Sequence, residues 1–204
     1  MHMKLRSAAF ALLAALAPAG VRAQAPGDLP KVLMLPASTR AMALGNSYVP
    51  SDRHADVLFY HPALINRASG FGLEMQGWGG DATSATASAA VAWFGGGVGV
   101  GLQTLQYGSP SADVPTDQDG LFAGGSVPVS ERVASLAYAR AFKGFDVGVA
   151  GKLVEARVGS ARDAAANVDV SVAHGVGPFT AAVTVKDFGE QVFNEEEGGA
   201  GASR

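Results

Sequence analysis

The sequence has no cysteine in 204 residues. That excludes a disulfide framework, thiolate zinc sites, iron–sulfur clusters and a cysteine nucleophile. Charge is also scarce. Asp, Glu, Lys and Arg make up 16% of the chain, against about 25% in an ordinary soluble domain. The 15 basic and 18 acidic residues leave a formal charge of −3, so the basic excess of a nucleic-acid binder is missing. No segment beyond the N-terminal region reaches the ~18 consecutive apolar residues of a membrane-spanning helix. What the chain has instead is 48% hydrophobic residues and 27 glycines. That composition is unusual for a cytosolic enzyme and ordinary for a β-protein in contact with lipid.

Residues 1–23 read as an export signal. Lys4 and Arg6 give a positive start, Ala8 to Ala17 a short apolar run, and Val21-Arg22-Ala23 small residues at the third and first positions before Gln24. This is the three-part secretory pattern, and a run this short does not cross a ~30 Å bilayer as a helix. With no cysteine after it, a lipoprotein anchor is excluded. The exported chain is then either soluble outside the cytoplasm or crosses a membrane as a β-barrel, since only helices and closed barrels satisfy every backbone group in a bilayer.

From Phe71 onward the period is two. Phe71, Leu73 and Met75 alternate with Gly72, Glu74 and Gln76; Val98, Val100 and Leu102 alternate with Gly97, Gly99 and Gly101; Val168, Val170 and Val172 alternate with Asp169 and Ser171. Such alternation gives each strand one apolar and one small or polar face. Seven strands are predicted, at 71–79, 84–94, 97–107, 132–142, 145–157, 166–175 and 178–187, with an eighth if Val32 to Pro36 pairs. Gly95-Gly96, Lys143-Gly144 and Gly175 to Pro178 are tight-turn signals. Tyr107 to Asp119 and Gly159 to Ala166 read as longer polar loops. Trp78, Trp93, Phe94, Tyr107, Phe142, Phe145, Phe179 and Phe188 stand near strand ends, where interfacial girdles occur. The small face carries Gly, Ala, Ser and Thr rather than Lys and Glu, which argues against a soluble sandwich. The expected fold is all-β: an antiparallel transmembrane β-barrel, or a partial barrel of about seven to eight long strands, preceded by a short helical segment.

Residues 37–66 do not alternate, and 24–69 read as an N-terminal arm or plug segment with short helices. Thr39 is placed to cap a short helix ending at Gly45, and Pro62 suits the first turn of a second helix, Pro62 to Asn66. The motifs Arg40-Ala41-Met42-Ala43-Leu44-Gly45, Tyr48-Val49, Asp52, Leu58-Phe59-Tyr60 and Pro62-Ala63 resemble the N-terminal signature of the PorV/PorQ and FadL-like outer-membrane barrels. Asn46, Pro50 and His61 depart from that pattern, which has Gly, Ala and Asn there. Ser135 to Arg140 with Gly148 to Lys152, and Val183 to Gly189, are similar to later strands of the same family. The family-signature residues are thus Arg40, Gly45, Asp52, His61, Pro62 and Ala63.

The resemblance implies a bacterial outer-membrane protein whose N-terminal segment acts as a hatch in the lumen; an arm packed across the barrel's periplasmic end is the alternative. It implies either passage of hydrophobic small molecules or service as an outer-membrane component of type IX protein secretion. Met42, Leu44, Val57, Leu58, Phe59 and Tyr60 are the candidate lining for a hydrophobic ligand, with simple packing against the wall as the other reading. Partners are then the lipid bilayer together with hydrophobic small molecules or secretion components, and no nucleic acid.

Nothing in the chain reads as catalysis or calls for a cofactor. Gly95 to Gly101 has Gly-x-Gly spacing but lies in a strand with no helix after it, so the dinucleotide fingerprint fails. His54 between Asp52 and Asp56 reads as a polar turn as readily as a metal cluster, and His174 and its neighbours show no paired Ser/His arrangement. Glu195-Glu196-Glu197 opens an acidic, glycine-rich tail, 190–204, expected to be solvated. The charges on the small face are more informative. Glu74, Asp146, Lys152, Asp169 and Lys186 all fall opposite the large apolar residues, and a buried charge survives only when paired or wet. Lys152 and Asp169, on neighbouring strands, are a candidate pair.

The implied barrel has about fourteen strands, within the range of outer-membrane barrels, and the sequence supplies about half of them. No strand ending in a terminal aromatic closes it. A truncated or vestigial barrel fragment without transport activity is therefore the alternative expectation.

Overall fold

The computed structural model describes residues 30–48, 53–108, 111–115, 122–126 and 128–189. The predicted signal segment, Val49, Pro50, Asp52 and the acidic tail lie outside the described residues.

The alternating stretches form one antiparallel sheet of seven strands. They are β1 (Gly70–Gly77), β2 (Thr83–Trp93), β3 (Gly96–Gln106), β6 (Val129–Phe142), β7 (Phe145–Val158), β8 (Ala161–Val176) and β9 (Phe179–Gly189), in the order β1-β2-β3-β6-β7-β8-β9. A separate hairpin, β4 (Ser111–Pro115) with β5 (Phe122–Ser126), interrupts the chain between β3 and β6. That hairpin falls in and beyond the stretch predicted as one polar loop. The Gly159 to Ala166 loop is also corrected: β7 and β8 run on until Val158 pairs with Ala161, leaving Gly159 and Ser160 as the turn. Ser160, Arg162 and Asp163 interrupt the apolar alternation there, yet the backbone continues the ladder.

Three tight turns lie at one rim of the sheet, the turn rim. Phe94 and Gly95 both have positive φ, as do Lys143 and Gly144, the conformation that matches the right-handed twist of flanking strands. The β1–β2, β3–β6 and β7–β8 connections lie at the opposite rim, the loop rim.

Among the described residues the sheet does not close. β1 and β9 each pair with one neighbour, so the expected complete barrel is not formed by these strands. Because the sheet holds an odd number of antiparallel strands, its two edge strands run in the same direction.

The expected eighth strand is absent as well: Lys31–Met34 is a single helical turn, α1. Coiling there buries Val32 against Leu105, Val133 and Val154 and lets its N–H donate to the Glu131 carboxylate at 2.7 Å. A second short helix, α2, covers Thr39–Ala43. Thr39 is its first residue rather than its cap. The position before it is Ser38, which makes no side-chain cap; instead the Thr39 N–H donates to the Glu74 carboxylate of β1. Gly45 and Asn46 end α2 in the left-handed region at φ 68° and 64°, which explains the departure at Asn46, since asparagine tolerates that region best after glycine. Two 3-10 helices follow, η1 (Ala55–Phe59) and η2 (Pro62–Arg67), the latter opened by proline in its first turn.

These helices lie across one face of the sheet, and that face is the small one. Ala55, Val57, Leu58, Phe59, Ala63, Leu64 and Ile65 are buried against Ala90, Ala137, Ala139, Ala150 and Ala173. The large residues stand on the other face, uncovered: Phe71 is 89% exposed, and Leu73, Met75, Leu102, Leu136, Leu153 and Val183 are exposed with it. Burial is therefore inverted relative to a water-soluble sheet, where the bulky face is the covered one.

Candidate functional site

The site that the fold builds is the interface between the helical segment and the covered face. Its closeness depends on glycine. Side-chain carbon on Gly97 would run into the Ile65 carbonyl, and on Gly148 into the Ala63 backbone. These strand glycines let two backbones meet; they serve approach, not phosphate binding.

Polar contacts fasten the segment at defined points. Arg67 of η2 forms an ion pair with Asp146 of β7 at 2.5 Å, and Asn66 donates to the same carboxylate at 2.8 Å. His61 Nδ1 lies 2.8 Å from Thr184 Oγ1 of β9, and that hydroxyl donates to Ser171 Oγ of β8 at 3.0 Å. Tyr48 stacks on Tyr60 with ring centres 5.0 Å apart and donates to Asp56 at 3.0 Å. The Tyr60 hydroxyl accepts from the Ala37 N–H at 2.8 Å. Burial pushes that phenol up to about 12, past the opposing effect of the backbone donors, and Asp56 and Glu74 add to the rise. Burial, then the Lys186 charge, holds the His61 imidazole below its usual range.

Beneath the segment lies a buried charge cluster. Lys152 Nζ sits 2.7 Å from Asp169 Oδ2 and 2.7 Å from Asp187 Oδ1. The other Asp169 oxygen accepts the Asp187 N–H at 2.8 Å. Lys186, on the edge strand β9, is exposed rather than buried and holds its Nζ 5.7 Å from the Tyr60 ring centre. Glu74, Asp146, Lys152, Asp169 and Lys186 thus stand on the covered side, and Lys152 with Asp169 pair. Asp187 is the member that strict alternation misses. A register shift between Val168 and Val170, with Asp187 at φ 56°, turns its carboxylate inward. No sequence signal marks a bulge at a non-glycine residue.

The six candidate lining residues do not share one cavity. Val57, Leu58 and Phe59 are buried in the packed core and Tyr60 packs at its margin, whereas Met42 and Leu44 are 44% and 47% exposed. The space that Phe59 and Tyr60 help to line measures about 20 Å³, roughly room for one water. Of the signature residues, Pro62 and Ala63 are buried, His61 bonds the wall, Arg40 is exposed, and Asp52 lies outside the described residues. Among the described residues no group of three His, Asp or Glu side chains could hold a metal ion.

The chain matches no protein-family model, no curated protein and no solved structure.

Aromatic side chains divide in a way that bears on this geometry. Phe71, Trp93, Phe94, Phe142, Phe145 and Phe179 gather along the turn rim, all exposed. Trp78 and Tyr107, at the loop rim, turn inward instead: Trp78 donates to Ser84 at 2.9 Å and Tyr107 to Glu131 at 2.8 Å, both packing beside Val32, Leu105 and Val133.

Proposed function

We propose that the chain forms part of the wall of a bacterial outer-membrane β-barrel and carries its own lumen plug. The observation that carries this reading is the inverted burial: bulky apolar residues uncovered, and small residues, glycines and paired charges beneath the helical segment. In water the uncovered face would be an interaction or aggregation surface; in lipid it is the stable arrangement. On β7 the uncovered positions from Phe145 to Leu153 are apolar or glycine, a rise of about 27 Å along the strand, which at the 35–45° tilt of such barrels covers about 20 Å of the ~25 Å apolar band. The exposed aromatic rim and the tight turns on that side fit one membrane interface.

An eight-stranded barrel has room inside for its own side chains or one small ligand, not for a packed pair of helices. A wall that already packs η1 and η2 on its inner side therefore belongs to a wider barrel, with further strands beside β1 and β9. Within it, the segment blocks the lumen, and passage of hydrophobic small molecules requires its displacement. The contacts Arg67–Asp146 and His61–Thr184 are the latches that displacement breaks.

The test is fractionation of cells expressing the full chain. Recovery in the outer-membrane fraction, resistant to alkaline carbonate, is the expected result; release by carbonate contradicts it. Uptake of a labelled long-chain fatty acid, compared with a deletion strain, tests the transport part, and equal uptake removes it.

A further inference from the structure

Among the described residues a second recess lies away from the helical segment. It is a groove of about 710 Å³ that opens on the sheet near the loop rim, lined among others by Leu102, Ala134, Leu153, Ala164 and Ala166. Its origin is local. Three alanines on β6 and β8 stand beside leucines on β3 and β7, so the bulky face has a trough where the small side chains fall short.

Directly above the trough the face changes character. On β6 the uncovered position after Ala134 toward the loop rim is Arg132; on β7 Leu153 gives way to Glu155 and Arg157; on β8 Ala164 gives way to Arg162. Arg132 and Glu155 themselves line the groove. In the register, Arg132 stands opposite Glu155, and Arg157 opposite Arg162. Like charges directly opposite one another repel, and among the described residues on this face three arginines stand with a single carboxylate. Among the described residues no ion pair joins any of the three to an acid. Arg157 uses its Nε on the Gly159 carbonyl at 3.0 Å, which leaves its terminal nitrogens for an outside acceptor. Arginine's planar fork suits phosphate oxygens, which it can hold through two parallel bonds.

We propose that the groove and the arginine row form one binding site for a phospholipid with an anionic headgroup. The phosphate bridges Arg157 and Arg162 with Arg132 at the flank, relieving the repulsion across the β7–β8 pair. An acyl chain lies along Ala134, Ala164 and Ala166 below. The charge of the row, its position at the upper limit of the apolar band, and the trough directly beneath it select a lipid over a free anion, which would use the row alone. The inference rests on the reading of the uncovered face as lipid-facing.

The experiment uses the full chain with vesicles of dioleoyl phosphatidylcholine or dioleoyl phosphatidylglycerol, first for flotation and then, after detergent extraction, for lipid retained in native mass spectra. The chain is expected to float with both, and to retain phosphatidylglycerol at least tenfold over phosphatidylcholine. Arg157→Gln with Arg162→Gln should remove that preference without affecting flotation. Ala166→Trp, which fills the trough, should lower retention with the arginines intact. Arg140→Gln, at the turn rim, should change nothing. Equal retention of the two lipids by the unaltered chain overturns the proposal, as does undiminished retention by the double variant. If the double variant does not float, Arg162→Gln alone decides, and unchanged retention by it is again contradictory. Failure of the unaltered chain to float with either vesicle overturns the lipid-facing reading itself.

Discussion

Lys152 of β7 and Asp169 of β8 form an ion pair at 2.7 Å with side chains 2% and 0% exposed. They are diagonal neighbours, since Lys152 lies opposite Asn167 and Asp169 opposite Ala150. Asp187 completes a buried triad around the ammonium. A pair so deeply buried need not add net stability, but removing one partner strands the others. Lys152→Ala should therefore destabilise the sheet by about 3–5 kcal/mol, read as a lower urea midpoint and loss of the heat-modifiable gel mobility. A Lys152→Ala chain with full mobility and an unchanged midpoint contradicts the structural role assigned to the triad.

Gly148 is where η2 and β7 touch backbone to backbone. A valine there cannot be accommodated while Ala63 stays in place. Gly148→Val should dislodge the helical segment at a cost of about 1–3 kcal/mol while leaving the strands paired. Because the chain has no cysteine, a single Leu64→Cys reports directly: its thiol should react slowly with maleimide in the parent and much faster beside Gly148→Val. Gly151→Ala, where the added carbon meets nothing, is the control and should behave like the parent.

The Arg67–Asp146 contact tests the same docking from the polar side. Asp146 is nearly fully buried while Arg67 is partly exposed, so the carboxylate depends on its partners more than the guanidinium does. Arg67→Ala leaves Asp146 with the Asn66 amide alone and should weaken docking by about 1–3 kcal/mol. Combining it with Asp146→Asn should recover part of that loss, which the Leu64→Cys reaction rate measures.

His61 gives docking a pH dependence with a defined sign. Its imidazole titrates below the ordinary value in the docked state, because burial and then Lys186 disfavour the cation. Released, it returns to about 6.5. The released state therefore binds more protons over the interval below 6.5, and docking weakens as pH falls through it. Above that interval this contribution is constant. The Leu64→Cys reaction should accelerate on acidification, and His61→Asn should flatten the response. An acid response of the same size in His61→Asn contradicts this assignment.

Much of the sheet was legible because its code is local. Period-two alternation runs through every long strand, and it fixed which residues share a face, so Lys152 and Asp169 could be matched in advance. The inward turn of Asp187 was not legible, because a bulge that reverses one side chain leaves no mark in composition. Val32 to Pro36 is apolar enough to be a strand, and only burial against Leu105 and Val133 makes it a helical turn. Trp78 and Tyr107 looked like girdle residues by position, yet Ser84 and Glu131 draw them inward. The candidate lining was hydrophobic in sequence, but whether such residues enclose space or fill it depends on packing, and Val57, Leu58 and Phe59 fill it.

The central claim is that the bulky face meets lipid and the small face does not. Single cysteines at Ala134, Leu136 and Tyr138 on the uncovered face of β6, and at Ser135, Ala137 and Ala139 on its covered face, would each carry a fluorophore in the bilayer-reconstituted full chain. Quenching by lipid-borne nitroxide should alternate residue by residue, strong at Ala134, Leu136 and Tyr138 and weak between them. Uniform quenching along the strand, or quenching by a water-soluble agent alone at the uncovered positions, would contradict the account.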